Sequence, residues 1–166
     1  MFDFFKGKSR EVTQITSLSA PVSGETIALE DVPDAVFAEK MMGEGIAFQF
    51  EGDTVCAPCD GTVSMIAGTL HAFGITANND AEILIHIGFD TVNLGGEGFT
   101  ALVKQGTNVS IGTPIIRIDR TFMAQKGIVL TTPMVVTNSS DFDLKIADKG
   151  MKVEAGIDEV IHFQKS

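Results

Sequence analysis

The chain alternates short runs rich in Val, Ile, Thr and Phe with turn residues, mainly Gly, Asn, Asp and Pro, at a spacing of about ten residues. Short strands at regular intervals are typical of antiparallel sandwiches and barrels. Helical patterning is limited to PDAVFAEKM (33–41) and DRTFMAQKG (119–127). We therefore predict an all-β protein, a mostly antiparallel β-sandwich or barrel with short helical turns. The candidate strands are 12–18, 25–29, 46–50, 54–57, 62–67, 70–76, 82–87, 99–103, 114–118, 133–137 and 158–163.

An internal repeat is also visible. GTNVSIGTPIIRI (106–118) and GMKVEAGIDEVIH (150–162) share Gly, Val and Gly at equivalent positions, and APVSG (20–24) is echoed by APCDG (57–61). This spacing suits a tight turn that leads into a strand. It predicts two similar β-motifs packed face to face. Because His162 falls where the other copy has an isoleucine, we expect it to be an ordinary strand residue.

The length and charge of the chain indicate one acidic domain. A chain of 166 residues buries about 70% of its unfolded surface, and no Pro- or Ser-rich linker divides this one. We assign residues 1–17 to a flexible N-terminal segment and residues 18–166 to a single β-sandwich domain. The net charge of −10 argues against binding of nucleic acid, which requires a basic surface, and suits a basic protein partner.

Targeting signals are weak. The N-terminus has no apolar signal-peptide core, and no apolar run approaches the roughly 18 residues of a membrane span. We expect a cytoplasmic protein whose membrane association, where it occurs, runs through a membrane-embedded partner. The amphipathic stretch MFDFFKGK (1–8) is a candidate for weak membrane contact, with a frayed terminus as the alternative. The initiating Met1 favours a freestanding protein over a piece of a larger membrane protein.

Cys56 and Cys59 form a C-A-P-C motif. A redox pair favours a helix N-terminus for its first cysteine, whereas the residues on both sides of this motif are β-like. A structural zinc site needs four ligands, and no second Cys or His pair stands at a suitable spacing. We expect two reduced, half-buried cysteines at a strand end, without a functional role.

His86 interrupts an apolar strand in EILIHIGFD (82–90). The preceding Asn-Asn pair (78–79) suits a two-residue hairpin loop, because Asn tolerates the left-handed conformation that such a loop requires. This loop would place His71 directly opposite His86, with their Cβ atoms about 5 Å apart. The pairing puts Phe73 and Leu84 beside the histidines and leaves Leu70, Ala72, Ile83, Ile85 and Ile87 on the core face.

The histidine pair limits the chemistry. Two charged imidazoles would repel at this range, so at least one must be neutral and available as nucleophile, base or metal ligand. A catalytic metal usually needs a third protein ligand, a hydrolase triad needs a Ser or Cys nucleophile, and no motif for either is present. Covalent catalysis by histidine needs only an imidazole nitrogen, a supporting neighbour and access. The alternative is a zinc-binding, hydrolase-like domain with His71 and His86 as ligands.

Five segments carry a family resemblance. They are VPDAVFAEKMMGEGIAF (32–48), APCDGTVSMIAGTLHAFGI (57–75), LIHIGFDTVNLGGEGF (84–99), VKQGTNVSIGTPII (103–116) and TTPMVVTN (131–138). The chain resembles the glucose-type enzyme IIA of the bacterial phosphoenolpyruvate sugar phosphotransferase system over residues 18–163. The resemblance implies a β-sandwich with two histidines on its active face.

The resemblance further implies a phosphocarrier. It would take a phosphoryl group from phospho-HPr and pass it to the IIB domain of a glucose-type sugar permease, through a phosphohistidine and without a cofactor. The acceptor would be His86, supported by His71, to which Thr69 would hydrogen-bond. The expected partner-binding residues are acidic positions that could pair with an HPr arginine, Asp34 and Asp90, and an apolar collar of Val36, Met41, Met42 and Phe73. For Val36, Met41 and Met42 the alternative is ordinary core. Regulatory protein targets are a further expectation, since phosphorylation changes the charge of the docking face.

Overall fold

The computed structural model describes residues 14–164, which form short strands and two one- to two-turn helices, α1 (Ala35–Ala38) and α2 (Arg120–Gln125). The membrane-contact stretch 1–8 and most of the expected N-terminal segment lie outside the described residues. The strands are β1 (Ser17–Ser19), β2 (Ser23–Ala28), β3 (Glu44–Glu51), β4 (Thr54–Cys56), β5 (Gly61–Ile66), β6 (Ala72–Ala77), β7 (Glu82–His86), β8 (Phe99–Ala101), β9 (Asn108–Val109), β10 (Pro114–Ile118), β11 (Thr131–Val136), β12 (Asp143–Ile146), β13 (Lys152–Val153) and β14 (Glu159–Gln164).

The strands form three antiparallel sheets. The largest has the order β13-β2-β3-β11-β7-β6-β5-β9, and the two smaller ones have the orders β4-β10-β8 and β1-β14-β12. The predicted all-β, mostly antiparallel fold is confirmed. The β6–β7 hairpin lies inside the large sheet between β5 and β11, so both of its outer edges are hydrogen-bonded. The segment that carries the histidines is therefore held on a rigid support.

Alternation along the strands separates two hydrophobic clusters. In β7, Ile83 and Ile85 point into the main core, while Leu84 and His86 point to the opposite face of the large sheet. That outer face carries a second cluster, packed under α1 and composed of Leu29, Val32, Phe37, Ala47 and Val135. His86 thus belongs to the face that α1 covers, and the short helix helps to form its surroundings.

The internal repeat is confirmed. The two-residue strands β9 and β13, one from each copy, lie at opposite edges of the large sheet and pair with β5 and β2 respectively. Gly112 N–H donates to the Ala57 carbonyl at 2.9 Å, and Gly156 N–H donates to the Ala20 carbonyl at 2.8 Å. The copies meet where Gly112 approaches Gly156, because a Cβ on Gly156 would lie 2.9 Å from the Gly112 Cα.

Because Gly156 approaches Gly112 so closely, we expect a side chain at Gly156 to destabilise the protein. Gly150 and Gly156 both have positive φ, +83° and +75°, but a Cβ on Gly150 would meet nothing within 4 Å. Gly150→Ala should lower the free energy of unfolding by about 1–2 kcal/mol, the cost of a left-handed L-residue. Gly156→Ala should cost about 1–3 kcal/mol more, because its methyl group would press on backbone. Urea denaturation measures both, and equal losses would contradict the close contact.

The strand predictions hold for the longer strands, and both predicted helical turns form. The sequence pattern did not reveal β9, β12 and β13. Of these, β9 and β13 have only two residues each and so show no alternation to recognise. None of the helices within residues 14–164 combines the length and apolarity that crossing a bilayer requires.

Candidate functional site

The predicted pairing of the two histidine strands is wrong by one residue. The β6–β7 loop has three residues rather than two, with Asp80 in the left-handed conformation at φ 69°. Asp80 N–H donates to the Ala77 carbonyl at 3.0 Å, and Ala77 N–H donates to the Ala81 carbonyl at 2.9 Å. As a result His86 faces Ala72 instead of His71.

The two imidazoles nevertheless lie together. Leu70 has a φ of 61°, and this left-handed residue turns the chain just before β6 begins. His71 follows in that turn, where its carbonyl accepts a hydrogen bond of 2.7 Å from Ile87 N–H. The ring centroids of His71 and His86 are 4.9 Å apart, with an interplanar angle of 79°. The predicted proximity is confirmed, but a turn beside the strand produces it.

The shifted pairing also moves Phe73. It pairs with Ile85, is 0% exposed and lies in the main core. Its expected place in the exposed collar is therefore a wrong prediction, because a fully buried ring offers no surface to a partner. Leu84 stays on the histidine face, as predicted, where it packs against the cluster under α1.

The orientation of His86 is fixed by one hydrogen bond. Its Nδ1 lies 2.7 Å from the Gly88 carbonyl oxygen. Because a carbonyl oxygen can only accept, the neutral ring carries its proton on Nδ1, and Nε2 keeps its lone pair. This hydrogen bond therefore leaves Nε2 as the nucleophilic atom of the ring.

Gly88 has to be a glycine to hold its carbonyl in this position. Its φ is +71°, and a Cβ would lie 2.8 Å from the Val129 carbonyl oxygen and 2.9 Å from a methyl carbon of Thr91. Thr91, which is fully buried, donates through its hydroxyl to the Ile87 carbonyl at 2.6 Å. These contacts rigidify the loop that orients His86.

His71 has a side-chain partner of its own. Thr69 Oγ1 lies 2.6 Å from Nδ1 of His71, within the turn that precedes β6. With Nδ1 engaged in this bond, Nε2 is the ring atom left for other contacts. Both histidines are half-buried, and each has its Nδ1 tied to a neighbour within two residues. The site is thus a pair of imidazoles held at Nδ1.

Burial favours the neutral form of both rings. Burial lowers the pKa of His86, although the Gly88 carbonyl and the Asp34 carboxylate act in the opposite direction. Burial also lowers the pKa of His71, and the neighbouring His86 adds to this effect. As pH falls below the ordinary value of about 6.5, the unfolded chain takes up protons first, so the free energy of unfolding decreases. That loss ends once pH is below the lowered pKa values of the folded state.

The electrostatic coupling is testable. His86→Gln removes the group whose charge disfavours protonation of His71, so the pKa of His71 should rise toward about 6.5. A ¹H–¹⁵N NMR titration of the imidazole nitrogens measures it. His162→Gln, at an exposed position of β14, is the matched control and should leave the His71 titration unchanged. An unchanged pKa in His86→Gln would contradict the coupling.

The remaining partner-binding candidates are placed as follows. Asp34 caps α1, where its Oδ1 accepts a hydrogen bond of 2.9 Å from Val36 N–H, and it is close enough to His86 to affect its titration. Val36 and Met42 are partly exposed, and Met41 is 71% exposed. Asp90 is exposed in the loop after β7, at a left-handed φ of 61°.

Two residues at the site were missed by sequence reasoning. The centroid of the Phe37 ring lies 5.3 Å from that of the His86 ring. The Phe89 ring is stacked on the His86 ring, with centroids 6.2 Å apart and an interplanar angle of 25°. Phe37 directly follows Val36 and Phe89 directly precedes Asp90, two of the predicted partner-binding residues. Their proximity to the histidine depends on the packing of α1 over the sheet, which no local pattern reveals.

The cysteines have no part in the site. Cys56 ends β4 and Cys59 follows it; both are free and buried. Burial raises the pKa of both thiols, that of Cys59 to about 12 with a smaller effect from Asp60. Thiols with raised pKa values are poor nucleophiles, which matches the expectation of reduced cysteines.

The zinc alternative is not supported. Within residues 14–164, no group of three or more His, Cys, Asp and Glu side chains could hold a metal ion. Two neutral histidines without a third ligand suit transfer of a group onto a ring nitrogen better than metal-assisted hydrolysis. The fold and the site therefore define a β-sandwich carrier that reacts through a histidine.

Comparisons with known proteins identify the family. The profile of the phosphoenolpyruvate-dependent sugar phosphotransferase system, EIIA 1, matches residues 16–142. The chain is 44% identical over 159 residues to a glucose-specific EIIA component of Oceanobacillus iheyensis, covering 96% of each chain. It is 42% identical over 137 residues to a glucoside-specific EIICBA component of Staphylococcus carnosus, covering 82% of this chain and 20% of that relative. The solved glucose permease IIA of Mycoplasma capricolum superposes with a TM-score of 0.80 at 35% identity, over 90% of this chain and 96% of that one.

The chain belongs to the EIIA 1 family of the phosphoenolpyruvate-dependent sugar phosphotransferase system. As an EIIA component it transfers phosphoryl groups through a phosphohistidine, and it works with phospho-HPr and an IIB domain. This confirms the family and the function that the sequence motifs predicted.

Proposed function

We propose that Nε2 of His86 is the atom that accepts the phosphoryl group from phospho-HPr and gives it to a cysteine of the IIB domain. The observation that carries this assignment is the 2.7 Å hydrogen bond between Nδ1 of His86 and the Gly88 carbonyl. A neutral ring that donates through Nδ1 has its lone pair on Nε2, ready for in-line attack on phosphorus.

The transfer balances without a cofactor. The Nε2 lone pair forms a bond to phosphorus while the bond from phosphorus to the HPr imidazole breaks, and that bond's electron pair returns to the HPr ring. The His86 ring keeps its Nδ1 proton and gains positive charge. The Gly88 carbonyl and the Asp34 carboxylate are the neighbours that stabilise this charge, since both favour a protonated His86.

His71 is the group that stabilises the phosphoryl oxygens. We assign the Thr69 hydroxyl as the donor to Nδ1 of His71 in their 2.6 Å bond, so Nε2 of His71 carries the proton. With ring centroids 4.9 Å apart, this N–H can reach an oxygen on a phosphoryl group bound to His86. A donor at this position stabilises the equatorial oxygens during transfer.

The partners would dock on the surface around α1. Val36, Met41 and Met42 are the exposed apolar residues there, and methionine side chains adapt to more than one partner. Asp34 and Asp90 add negative charge that would attract a basic side chain of HPr. Because phosphorylation adds negative charge at His86, the same surface could also bind regulatory targets in one phosphorylation state only.

The substrate of the pathway would be glucose or a related sugar, and the site of action the cytoplasm. Relatives named as glucose-specific EIIA components support the sugar class. The Staphylococcus carnosus relative is named an EIICBA component, and this chain matches 20% of its length, which supports an A unit working beside B and C units.

Intact-protein mass spectrometry tests the proposed reaction. The protein incubated with phosphoenolpyruvate, enzyme I and HPr should gain one acid-labile phosphoryl group and lose it on addition of a glucose-type IIB domain. Omission of HPr is the control and should prevent the gain. A protein that gains no phosphoryl group in the full mixture would contradict the proposal.

A further inference from the structure

The aromatic rings beside His86 have a role that the transfer steps do not use. We propose that Phe89, braced by Phe37, is a positioning residue that keeps Nε2 of His86 pointing outward and shields the phosphorylated ring from water. This inference rests on the proposed function of His86.

Three rings pack around His86, those of Phe37, Phe89 and His71, and together form its aromatic enclosure. The centroid of the imidazole lies 6.2 Å from the stacked Phe89 ring, 5.3 Å from the Phe37 ring and 4.9 Å from the His71 ring, with interplanar angles of 25°, 58° and 79° respectively. The centroids of Phe37 and Phe89 are themselves 6.2 Å apart, with an interplanar angle of 60°. Because Nδ1 is bonded to Gly88, Nε2 is the ring nitrogen left for a partner.

Both phenyl rings are anchored by structure other than His86. Phe37 is 5% exposed and sits in α1 within the cluster on the outer face of the sheet. Phe89 packs against the same cluster, and its N–H donates to the Val129 carbonyl at 3.3 Å. The positive φ of Gly88 turns the chain so that Phe89 returns over the ring of His86. The enclosure is therefore built into the fold.

A fixed ring matters because a half-turn about the Cβ–Cγ bond would put Cδ2 in the place of Nδ1 and Cε1 in the place of Nε2, which would break the hydrogen bond to Gly88 and turn a carbon toward the partner. Stacked and tilted aromatic neighbours oppose that rotation, and the Gly88 carbonyl then always receives Nδ1–H. A displacement of the nucleophile by about 1 Å can slow a transfer on the order of 100-fold. Phe89 would thus keep Nε2 in the position that both partners approach.

The same apolar wall limits a wasteful reaction. In hydrolysis, a water oxygen bonds to phosphorus while the N–P bond breaks; the electron pair returns to the ring nitrogen, and inorganic phosphate leaves with the water proton transferred to solvent. Apolar rings beside the phosphohistidine reduce the positions from which water can attack. The phosphoryl group would then persist until a partner docks.

The test compares Phe89→Ala, Phe89→Leu and Phe163→Ala. Phe163 is a half-buried ring on β14, with its centroid 5.2 Å from that of Phe142, and so serves as a matched control far from His71 and His86 in sequence. Each full-length variant is phosphorylated with phosphoenolpyruvate, enzyme I and HPr. Intact mass then follows the loss of phosphoryl groups after HPr is removed, and ¹⁵N NMR reports the tautomer and pKa of His86.

Phe89→Ala should take up one phosphoryl group and lose it to water about threefold faster or more than the wild type. Its His86 pKa should rise, because less of the ring is buried, while His71 and Asp34 remain the nearby ionisable groups. Phe89→Leu keeps apolar bulk, so its rate of phosphoryl loss should lie between those of the wild type and Phe89→Ala. Phe163→Ala should lose the phosphoryl group at the wild-type rate.

An unchanged loss rate together with an unchanged tautomer and pKa in Phe89→Ala would overturn the inference. Should that variant unfold, the same unchanged values in Phe89→Leu would overturn it. Failure of the wild type to take up any phosphoryl group would instead overturn the proposed function, so the two failures are distinguishable.

Discussion

His86→Gln should take up no phosphoryl group from phospho-HPr. In the proposed reaction, the substitution removes the imidazole whose Nε2 lone pair forms the bond to phosphorus, and we expect neither His71 nor the buried thiols to replace it. We expect the rate of uptake to fall on the order of 10⁴-fold or more, below detection by intact mass. The measurement is the mass gain after incubation with phosphoenolpyruvate, enzyme I and HPr.

His162→Gln is the control for this prediction. His162 is an exposed residue of β14, 3.5 Å from the Glu159 carboxylate, and its loss should leave the stoichiometry at one phosphoryl group. Circular dichroism should show that both variants keep the β-sheet structure. Uptake by His86→Gln at the wild-type rate would mean that another residue is the acceptor.

His71→Gln should accept the phosphoryl group but deliver it slowly. Arrival from HPr exchanges one imidazole for another, so the energy of the carried group changes little. Delivery to a cysteine brings a thiolate against a doubly charged phosphoryl group, and a hydrogen-bond donor on the phosphoryl oxygens then matters most. We expect onward transfer to IIB to slow on the order of 10²–10³-fold, the usual cost of losing one well-placed donor, because the glutamine amide is not held by Thr69 as the imidazole is.

Rapid-quench measurements of phosphoryl transfer to IIB test this expectation. Thr69→Val provides an intermediate case, because it keeps the His71 ring but removes the hydroxyl 2.6 Å from Nδ1. Thr69→Ser should restore most of the rate. Onward transfer at the wild-type rate in His71→Gln would show that His71 does not support the reaction.

Much of the fold follows from sequence patterns because alternation and turn residues act locally. The strand periodicity identified the longer strands, and the repeated Gly and Val positions identified two motifs whose edge strands β9 and β13 have equivalent pairings. The shortest strands could not be found this way. They are held by neighbours in the sheet, and a pair of residues carries no periodic signal.

The site was predicted in part. The proximity of His71 and His86 followed from the hairpin, but its loop length did not, because Asn79 and Asp80 both tolerate the left-handed conformation and only one adopts it. The left-handed conformation at Asp80 makes the loop three residues long. This shifts every cross-strand pair of β6 and β7 by one residue and places Phe73 in the core. The contact between the histidines survives because His71 lies in the turn before β6, outside the strand pairing.

The aromatic enclosure could not be predicted from any local pattern. It forms where α1 and the loop after β7 meet over the outer face of the large sheet, through residues far apart in the chain. The same is true of the Gly88 carbonyl, whose position depends on Val129 and Thr91. These tertiary contacts decide which nitrogen of His86 is free, and so they decide the chemistry.

The most direct test of the central claim is to locate the phosphoryl group by NMR. The ¹⁵N-histidine-labelled protein, phosphorylated with phosphoenolpyruvate, enzyme I and HPr, would be examined for ³¹P–¹⁵N coupling in the His86 ring. Our account predicts coupling to Nε2 of His86, with Nδ1 still protonated and bonded to the Gly88 carbonyl. Coupling to Nδ1 of His86, or to either nitrogen of His71, would contradict it.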